Sequence, residues 1–237
     1  MFVSNLCVLL TLIHFGVASD LDEAVAIMTC AKAAFSVGVP ELNVPSYEPF
    51  YQMERNFSFR GDIGSYTGAE VTLSQIKWTG LTYWDVIAAQ SSLDSNPNAH
   101  FPFLLNWKTL DIDGHFDMVE DKGVVILEQH GSFSLSFSNS NWKGLVDVTK
   151  PTSKSNGSIN DCQIDWSTKY LTVVIDGLGI LDEPISKSIQ TKLFAALNKH
   201  QIGNVIGEYI KDVLKTWWDE GKVWRLMEWC EKNPSYQ

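Results

Sequence analysis

The segment SFSLSFS, residues 132–138, places phenylalanine or leucine at every second position and serine between them. Neighbouring side chains of a β-strand point to opposite faces of the sheet. The alternation therefore predicts a strand with one face against a hydrophobic core and the other in solvent. Half-exposed strands of this kind are typical of antiparallel sheets, so the segment predicts that architecture for its surroundings.

Similar strand signals extend in both directions, from about Glu54 to Asp176. One apolar run breaks phase between Leu73 and Ile76, which predicts a β-bulge or a strong bend. Glycines and the polar cluster Pro151–Ser158 separate the runs, as turns do between strands. The other predicted strands are Leu81–Ala89, Phe101–Trp107, Val124–Leu127, Leu145–Val148 and Leu171–Ile175. Together these segments predict one long antiparallel meander.

Helical periodicity appears on both sides of the meander. A helix is predicted from Asp20 to Gly38. Near the other end, apolar residues recur at three- and four-residue spacing from Ile202 to Trp217. Another helix is expected to start at Pro184, a favoured first-turn residue, and a short one is indicated around Trp224–Trp229. Because helices and strands are segregated along the chain, the predicted class is α+β.

Residues 1–19 carry no charged side chain and end in the small residues Gly16–Ser19. This pattern is typical of a cleaved signal peptide, so we expect a secreted, extracellular protein with a single domain over residues 20–237. The formal net charge of −10 disfavours nucleic acid and anionic membranes as partners. No later apolar run reaches the length of a transmembrane helix, and stable membrane insertion is therefore not expected.

The cysteines that remain after signal-peptide removal are Cys30, Cys162 and Cys230. Three cysteines allow at most one intrachain disulfide, and Cys162 with Cys230 is the preferred pair. Two Asn-x-Ser sequons, at Asn56 and Asn156, predict N-glycosylation on the secretory route.

Motifs of catalysis are missing from the sequence. The chain has no Gly-x-Ser-x-Gly elbow, no Walker loop and no His-Glu-x-x-His motif. The glycines Gly177 and Gly179 lack the third glycine and the second βαβ unit of a dinucleotide site. The histidines have no partner at metal-ligand spacing, and the acidic cluster from Asp111 to Asp121 lacks the spacing of a calcium loop. The sequence predicts no enzyme, no cofactor and no metal site.

The chain has more apolar surface than its helices and strands need for packing. Several strands are apolar on both faces, while each amphipathic helix covers one side only. This surplus predicts a cavity for a small hydrophobic ligand, although each aromatic residue taken alone fits a solid core. Tyr66, Tyr83 and Tyr209 are candidates for orienting a polar head group. The candidate lining residues are Phe35, Trp84, Phe103, Leu105, Leu127, Phe133, Leu135, Phe137, Leu193, Tyr209, Val213 and Trp217.

Several motifs resemble a known family. They are GVPELNVPSYEPF at residues 38–50, GDIGSYTG at 61–68, the run at 71–81 ending in Trp-Thr-Gly-Leu, and residues 171–178 before the helical C-terminal region. Along nearly all of the mature chain, the sequence resembles the insect takeout and juvenile-hormone-binding protein family of the tubular lipid-binding group. The run Gly177–Asp182 also resembles group 7 mite allergens. The family usually has two cysteines near the mature N-terminus, whereas Cys30 stands alone here.

The resemblance implies a long helix wrapped by a highly curved antiparallel β-sheet, in an elongated tubular fold with a hydrophobic tunnel. It implies a carrier whose partner is a small hydrophobic ligand: a terpenoid of the juvenile-hormone kind, a fatty acid or a carotenoid. The sequence leaves three alternatives open. These are a carotenoid-binding pigment protein, an innate-immunity lipid-recognition protein of the same fold, and an enzyme with an unrecognised site.

Overall fold

The computed structural model describes residues 21–52, 57–63, 66–89, 98–121, 126–149, 158–199, 211–212, 215–216 and 219–233. The helices are α1 (Leu21–Val37), α2 (Asp182–Asn198) and α3 (Lys222–Lys232), with short 3-10 helices at Pro40–Leu42 and Gly179–Leu181. The strands are β1 (Phe50–Gln52), β2 (Phe57–Ile63), β3 (Tyr66–Thr79), β4 (Trp84–Ala89), β5 (Asn98–Asp121), β6 (Ile126–Thr149) and β7 (Ser158–Asp176). The predicted signal peptide and the asparagines of both sequons, Asn56 and Asn156, lie outside the described residues.

The α+β class is confirmed, because one large curved antiparallel sheet lies between helical segments of the chain. Its strand order is β1-β3-β5-β6-β7, with β2 also paired to β3 and β4 also paired to β5. All three of these predicted helices are present: α1 is the helix before the sheet, α2 is the helix expected at Pro184, and α3 is the helix around Trp224–Trp229. Of the predicted apolar helix between Ile202 and Trp217, residues 211–212 and 215–216 are described, and they are helical.

The sheet bends along one line that crosses its three longest strands. On β5 the buried positions are odd-numbered up to Trp107 and even-numbered from Leu110 onward. The same change of phase occurs on β6 between Phe137 and Ser140, where Asn139 has a positive φ of 51°. It occurs on β7 between Thr168 and Leu171. A strand keeps one face inward across such a change only by twisting locally, so the sheet curves there.

The bulge predicted on β3 is confirmed. The pairing register of β3 with β5 shifts between Ser74 and Lys77, and Gln75 has a positive φ of 50°. Leu73 and Ile76 therefore both face the core, although odd spacing along a regular strand would place them on opposite faces.

The core divides into two clusters that meet along the sheet. The main core joins α1 and α3 to the sheet end that carries Trp84, Trp107 and Trp142. A smaller cluster, the α2 core, contains Val71, Phe116, Met118, Leu178 and Ile185. Leu73, Ile175 and Ile189 pack against both clusters and connect them.

The predicted disulfide between Cys162 and Cys230 is wrong. The structure joins Cys30 to Cys230 with a Cα–Cα distance of 5.9 Å, and Cys162 is a buried thiol outside this disulfide. The reason is the docking of α3, which packs against α1 and so brings Cys230 to that helix. Cys162 lies on β7 opposite Val146, on the core face of the sheet.

Candidate ligand-binding site

An apolar cavity of about 160 Å³ lies between α2 and the sheet. All of its lining side chains are hydrophobic: Val71, Leu73, Phe116, Met118, Phe133, Leu135, Ile175, Leu178, Ile185 and Ile189. Such a surface interacts with a guest through dispersion and the hydrophobic effect. The cavity is thus suited to holding an apolar group.

The sheet forms the floor of the cavity. Val71 pairs with Met118 and Leu73 with Phe116 across β3 and β5. Paired residues of an antiparallel ladder project to the same face, so each pair contributes two adjoining apolar side chains. The half-exposed strand predicted from SFSLSFS supplies Phe133 from the first third of β6, opposite Ile175 of β7.

Two cross-strand glycines fix the depth of this floor. Gly114 is the partner of Phe133, and Gly131 is the partner of Phe116. A Cβ on Gly114 would lie 2.7 Å from the Phe133 ring, and a Cβ on Gly131 would lie 2.6 Å from the Phe116 ring. Both rings therefore occupy space that any other residue's side chain would fill, and the cavity above them is deeper as a result.

Helix α2 forms the roof and is anchored to the edge strand. Its side chains accept hydrogen bonds from backbone N–H groups of β7 and of the turn after it. These bonds run from Val173 to Gln190 Oε1 at 3.4 Å, from Ile175 to Ser186 Oγ at 2.9 Å, and from Leu178 to Asp182 Oδ1 at 2.6 Å. The bonds satisfy donors that an edge strand would otherwise expose. They also hold Ile185 and Ile189 over the cavity.

Ionisable groups with shifted pKa values lie outside the cavity. A hydrogen bond from its own backbone lowers the pKa of Glu41, and the Trp229 indole N–H, donating at 2.9 Å, lowers it further. On the exposed side of α2, Lys187 lowers the pKa of Glu183 by a hydrogen bond and by its charge. Because no charged side chain lines the cavity, neither titration acts directly on a guest.

The structure places the predicted lining residues in three settings. Phe133 and Leu135 line the cavity. Five others are buried in the main core, away from the cavity: Phe35, Trp84, Phe103, Leu105 and Phe137. Leu193 is partly buried against the main core, and Leu127 is half-buried opposite Glu120. Tyr209, Val213 and Trp217 lie outside the described residues. Of the head-group candidates, Tyr83 is exposed.

Most of the cavity lining was not predicted. The missed residues are Val71, Leu73, Phe116, Met118, Ile175, Leu178, Ile185 and Ile189. A signal was available in the sequence, because glycines at 114 and 131 interrupt apolar strands and indicate close approach of another group. To predict which rings these glycines accommodate, the pairing register of β5 with β6 must be known, and residue types alone do not determine that register.

The described residues bring no three His, Cys, Asp or Glu side chains together in an arrangement that would hold a metal ion. Within the same ranges, none of the helices combines the length and apolarity that a membrane-crossing segment needs.

Comparison with known proteins gives one family match. The sequence model of the haemolymph juvenile hormone binding protein (JHBP) family matches residues 21–228. Takeout 1 of Epiphyas postvittana is a similar solved structure, with a TM-score of 0.49 and 16% identity over 84% of this chain and 90% of that one. A lipopolysaccharide binding protein matches with a TM-score of 0.42 and 15% identity, over 82% of this chain and 39% of that one. Among curated protein sequences, none matches the chain significantly.

Proposed function

This chain belongs to the haemolymph juvenile hormone binding protein family, and we propose that it is a secreted carrier that holds a small hydrophobic ligand in its interior. The observation that carries the proposal is the apolar cavity under α2. A pocket lined only by hydrocarbon and the Met118 thioether offers an apolar guest contact without catalytic chemistry. The uncleaved sequence also begins with the features of a secretory signal.

The size of the cavity restricts which part of a ligand enters it. At about 160 Å³ it is comparable to engineered apolar cavities of about 150 Å³ that bind benzene. Pockets that enclose a whole ligand typically measure about 300–1,000 Å³. We therefore assign the cavity to one apolar end of a longer molecule. A terpenoid terminus or the end of an acyl chain fits this description.

The rest of the ligand is proposed to run along the core face of the sheet toward the main core. Phe133 and Leu135 would contact the end in the cavity, and Phe137 follows them on β6. Phe103 and Leu105 lie further along, on β5. Each methylene buried there stabilises the complex by about 0.8 kcal/mol, before the cost of association is subtracted.

Native mass spectrometry of protein secreted from eukaryotic cells tests the proposal. We expect a bound species that is released on denaturation and identified by lipid extraction. Visible absorbance of the same sample separates a carotenoid from a colourless terpenoid or fatty acid. The mass of the secreted chain also shows whether residues 1–19 are removed and whether Asn56 and Asn156 carry glycans.

A matched pair of variants locates the site. Ile189→Trp places a larger side chain in the cavity, and Ile180→Trp makes the same exchange at a position that is 94% exposed. Displacement of the fluorescent probe N-phenyl-1-naphthylamine by palmitic acid or farnesol measures affinity. We expect Ile189→Trp to weaken binding by about 4- to 15-fold, since the ligand loses the burial of one or two methylenes at about 0.8 kcal/mol each. Equal affinities of the two variants would show that ligands bind elsewhere.

A further inference from the structure

A row of tryptophan rings crosses the core face of the sheet, beyond the bend. Trp84 of β4, Trp107 of β5, Trp142 of β6 and Trp166 of β7 follow one another with centroid separations of 6.4, 4.9 and 5.2 Å. Phe137 adjoins the last ring at 4.9 Å. The row lies within the main core, and its Phe137 end is two residues along β6 from Leu135, which lines the cavity.

The indole N–H groups in this row differ in their partners. Trp107 donates to the carbonyl oxygen of Leu81 at 3.3 Å. The nitrogens of Trp142 and Trp166 are sealed from solvent and have no acceptor among the described residues. Their side chains are only 2% and 8% exposed. Buried indole N–H groups usually find an acceptor, and leaving one unmade costs free energy, so two neighbouring exceptions need a physical reason.

The residues beside the two indoles are polar but already satisfied. Ser140 and Thr168 are the cross-strand pair next to Trp142 and Trp166, and both are buried. Ser140 donates to Thr168 Oγ1 at 2.9 Å, and Thr168 Oγ1 lies 2.9 Å from the carbonyl oxygen of Tyr170. The hydroxyl protons are thus used within the protein, and the indole N–H groups are the donors that remain.

We propose that Trp142 and Trp166 form a subsite that donates hydrogen bonds to an acceptor oxygen of the ligand. This inference rests on the proposed carrier function and specifies the ligand class: a long hydrocarbon that carries an ester, carboxyl, ketone or ether oxygen. A few placed polar groups in an apolar site are the usual means of fixing ligand orientation. Because both nitrogens are sealed from solvent, a neighbouring side chain must shift for the oxygen to reach them.

The subsite lies at a useful distance from the cavity. Leu135 lines the cavity, and Trp142 lies on the same strand beyond the bend. At about 3.3 Å per residue, the segment between them spans at most about 23 Å, and the bend shortens it. A ligand with its hydrocarbon end under α2 and its oxygen at the indoles is therefore an acyl or terpenoid chain rather than a small alcohol.

Two probe ligands together measure the contribution of the acceptor oxygen to binding. Methyl palmitate and nonadecane have similar length, and only the first has acceptor oxygens. Trp142→Phe and Trp166→Phe each remove an unpartnered N–H and keep an aromatic ring. Trp107→Phe is the matched control, because it removes an N–H that is already bonded to Leu81. Affinities are measured by probe displacement and by native mass spectrometry.

We expect Trp142→Phe and Trp166→Phe to weaken methyl palmitate binding relative to nonadecane by about two- to twelvefold, the range of one net hydrogen bond. Trp107→Phe should leave that ratio unchanged. Direct evidence comes from the ¹⁵N-labelled wild-type protein. Two indole proton resonances, assigned by their loss in the two variants, should move downfield with methyl palmitate and not with nonadecane.

The possible failures are distinguishable. If wild-type protein binds both probes with equal affinity and no indole resonance moves, the carrier function stands and the subsite is refuted. In that case the two N–H groups point at neighbouring rings, a weaker interaction that needs no ligand. If wild-type protein binds neither probe, the proposed function is refuted and the subsite with it.

Discussion

Replacing Gly114 with alanine should close part of the cavity from below. The new Cβ would lie 2.7 Å from two carbon atoms of the Phe133 ring and 3.1 Å from the carbonyl oxygen of Ser74. Carbon atoms in contact are about 3.5–4.0 Å apart, so the ring must move by about 1 Å. Backbone blocks one side and the cavity lies on the other, so the ring moves into the space that the ligand's end would occupy.

The expected loss follows from that displacement. Excluding one or two methylenes of the ligand, at about 0.8 kcal/mol each, weakens binding by about 4- to 15-fold. Overpacking should also destabilise the ligand-free protein by about 1–3 kcal/mol. Probe displacement measures the first effect, and urea unfolding without ligand measures the second.

Gly144→Ala is the matched control. Gly144 is the cross-strand partner of Phe103, and its Cβ would lie 2.1 Å from that ring and 2.8 Å from the Gln163 carbonyl oxygen. This clash is more severe, so the stability cost should be at least as large. Phe103 lies on the proposed path of a long ligand but does not line the cavity, so the affinity of the folded variant for a probe that fills the cavity alone, such as benzene, should stay near that of the wild type. Comparable affinity losses in both variants would refute the assignment of the cavity.

The disulfide and the surface of α2 give two more predictions. Cys30→Ser should lower the free energy of unfolding by about 2–5 kcal/mol, because the Cys30–Cys230 bond closes a loop of 200 residues, whereas Cys162→Ala should leave that bond intact. Thermal unfolding measures the loss of stability, and alkylation mapping of free thiols shows which cysteines are bonded. An alkylated Cys230 in the wild-type protein would contradict the pairing. Glu183→Gln should remove a small stabilisation that is present above the ordinary pKa of a glutamate and is lost as the pH falls through the lowered pKa of Glu183 in the folded protein. The melting temperatures of the variant and the wild type should therefore differ at neutral pH and converge at acid pH. A difference that stays constant with pH would exclude the ion pair with Lys187 as the source of the stabilisation.

The sequence predicted the class of the fold better than the extent of its strands. Three separate strands were predicted where the structure has one, because β6 runs unbroken from Ile126 to Thr149. The alternation of apolar and polar residues that identifies a strand changes phase at Asn139, so the sequence pattern indicates the end of a strand where the strand in fact continues. On β3 the corresponding reversal was read correctly as a bulge, because the apolar residues on both sides of it are close together in sequence.

Features that depend on docking were not predictable in this way. The partner of Cys230 is decided by the packing of α3 on α1, which no local pattern encodes. Alternation alone predicts Phe133 and Leu135, which are two of the ten residues that line the cavity. Phe116 belongs to the same floor only because it pairs with Gly131, and that pairing follows from the register of two strands of 24 residues each.

The bend in the sheet connects the two proposed parts of the site. On the α2 side of the bend, the core face of β6 and β7 is purely apolar around Phe133 and Ile175. At and beyond the bend, the same face carries the hydroxyl pair Ser140 and Thr168 and then the two indole donors. A ligand with one apolar end and one oxygen would thus be bound in a single orientation. Without the reversal of phase at the bend, Ser140 and Trp142 would face solvent, and the interior would have no means of distinguishing the two ends.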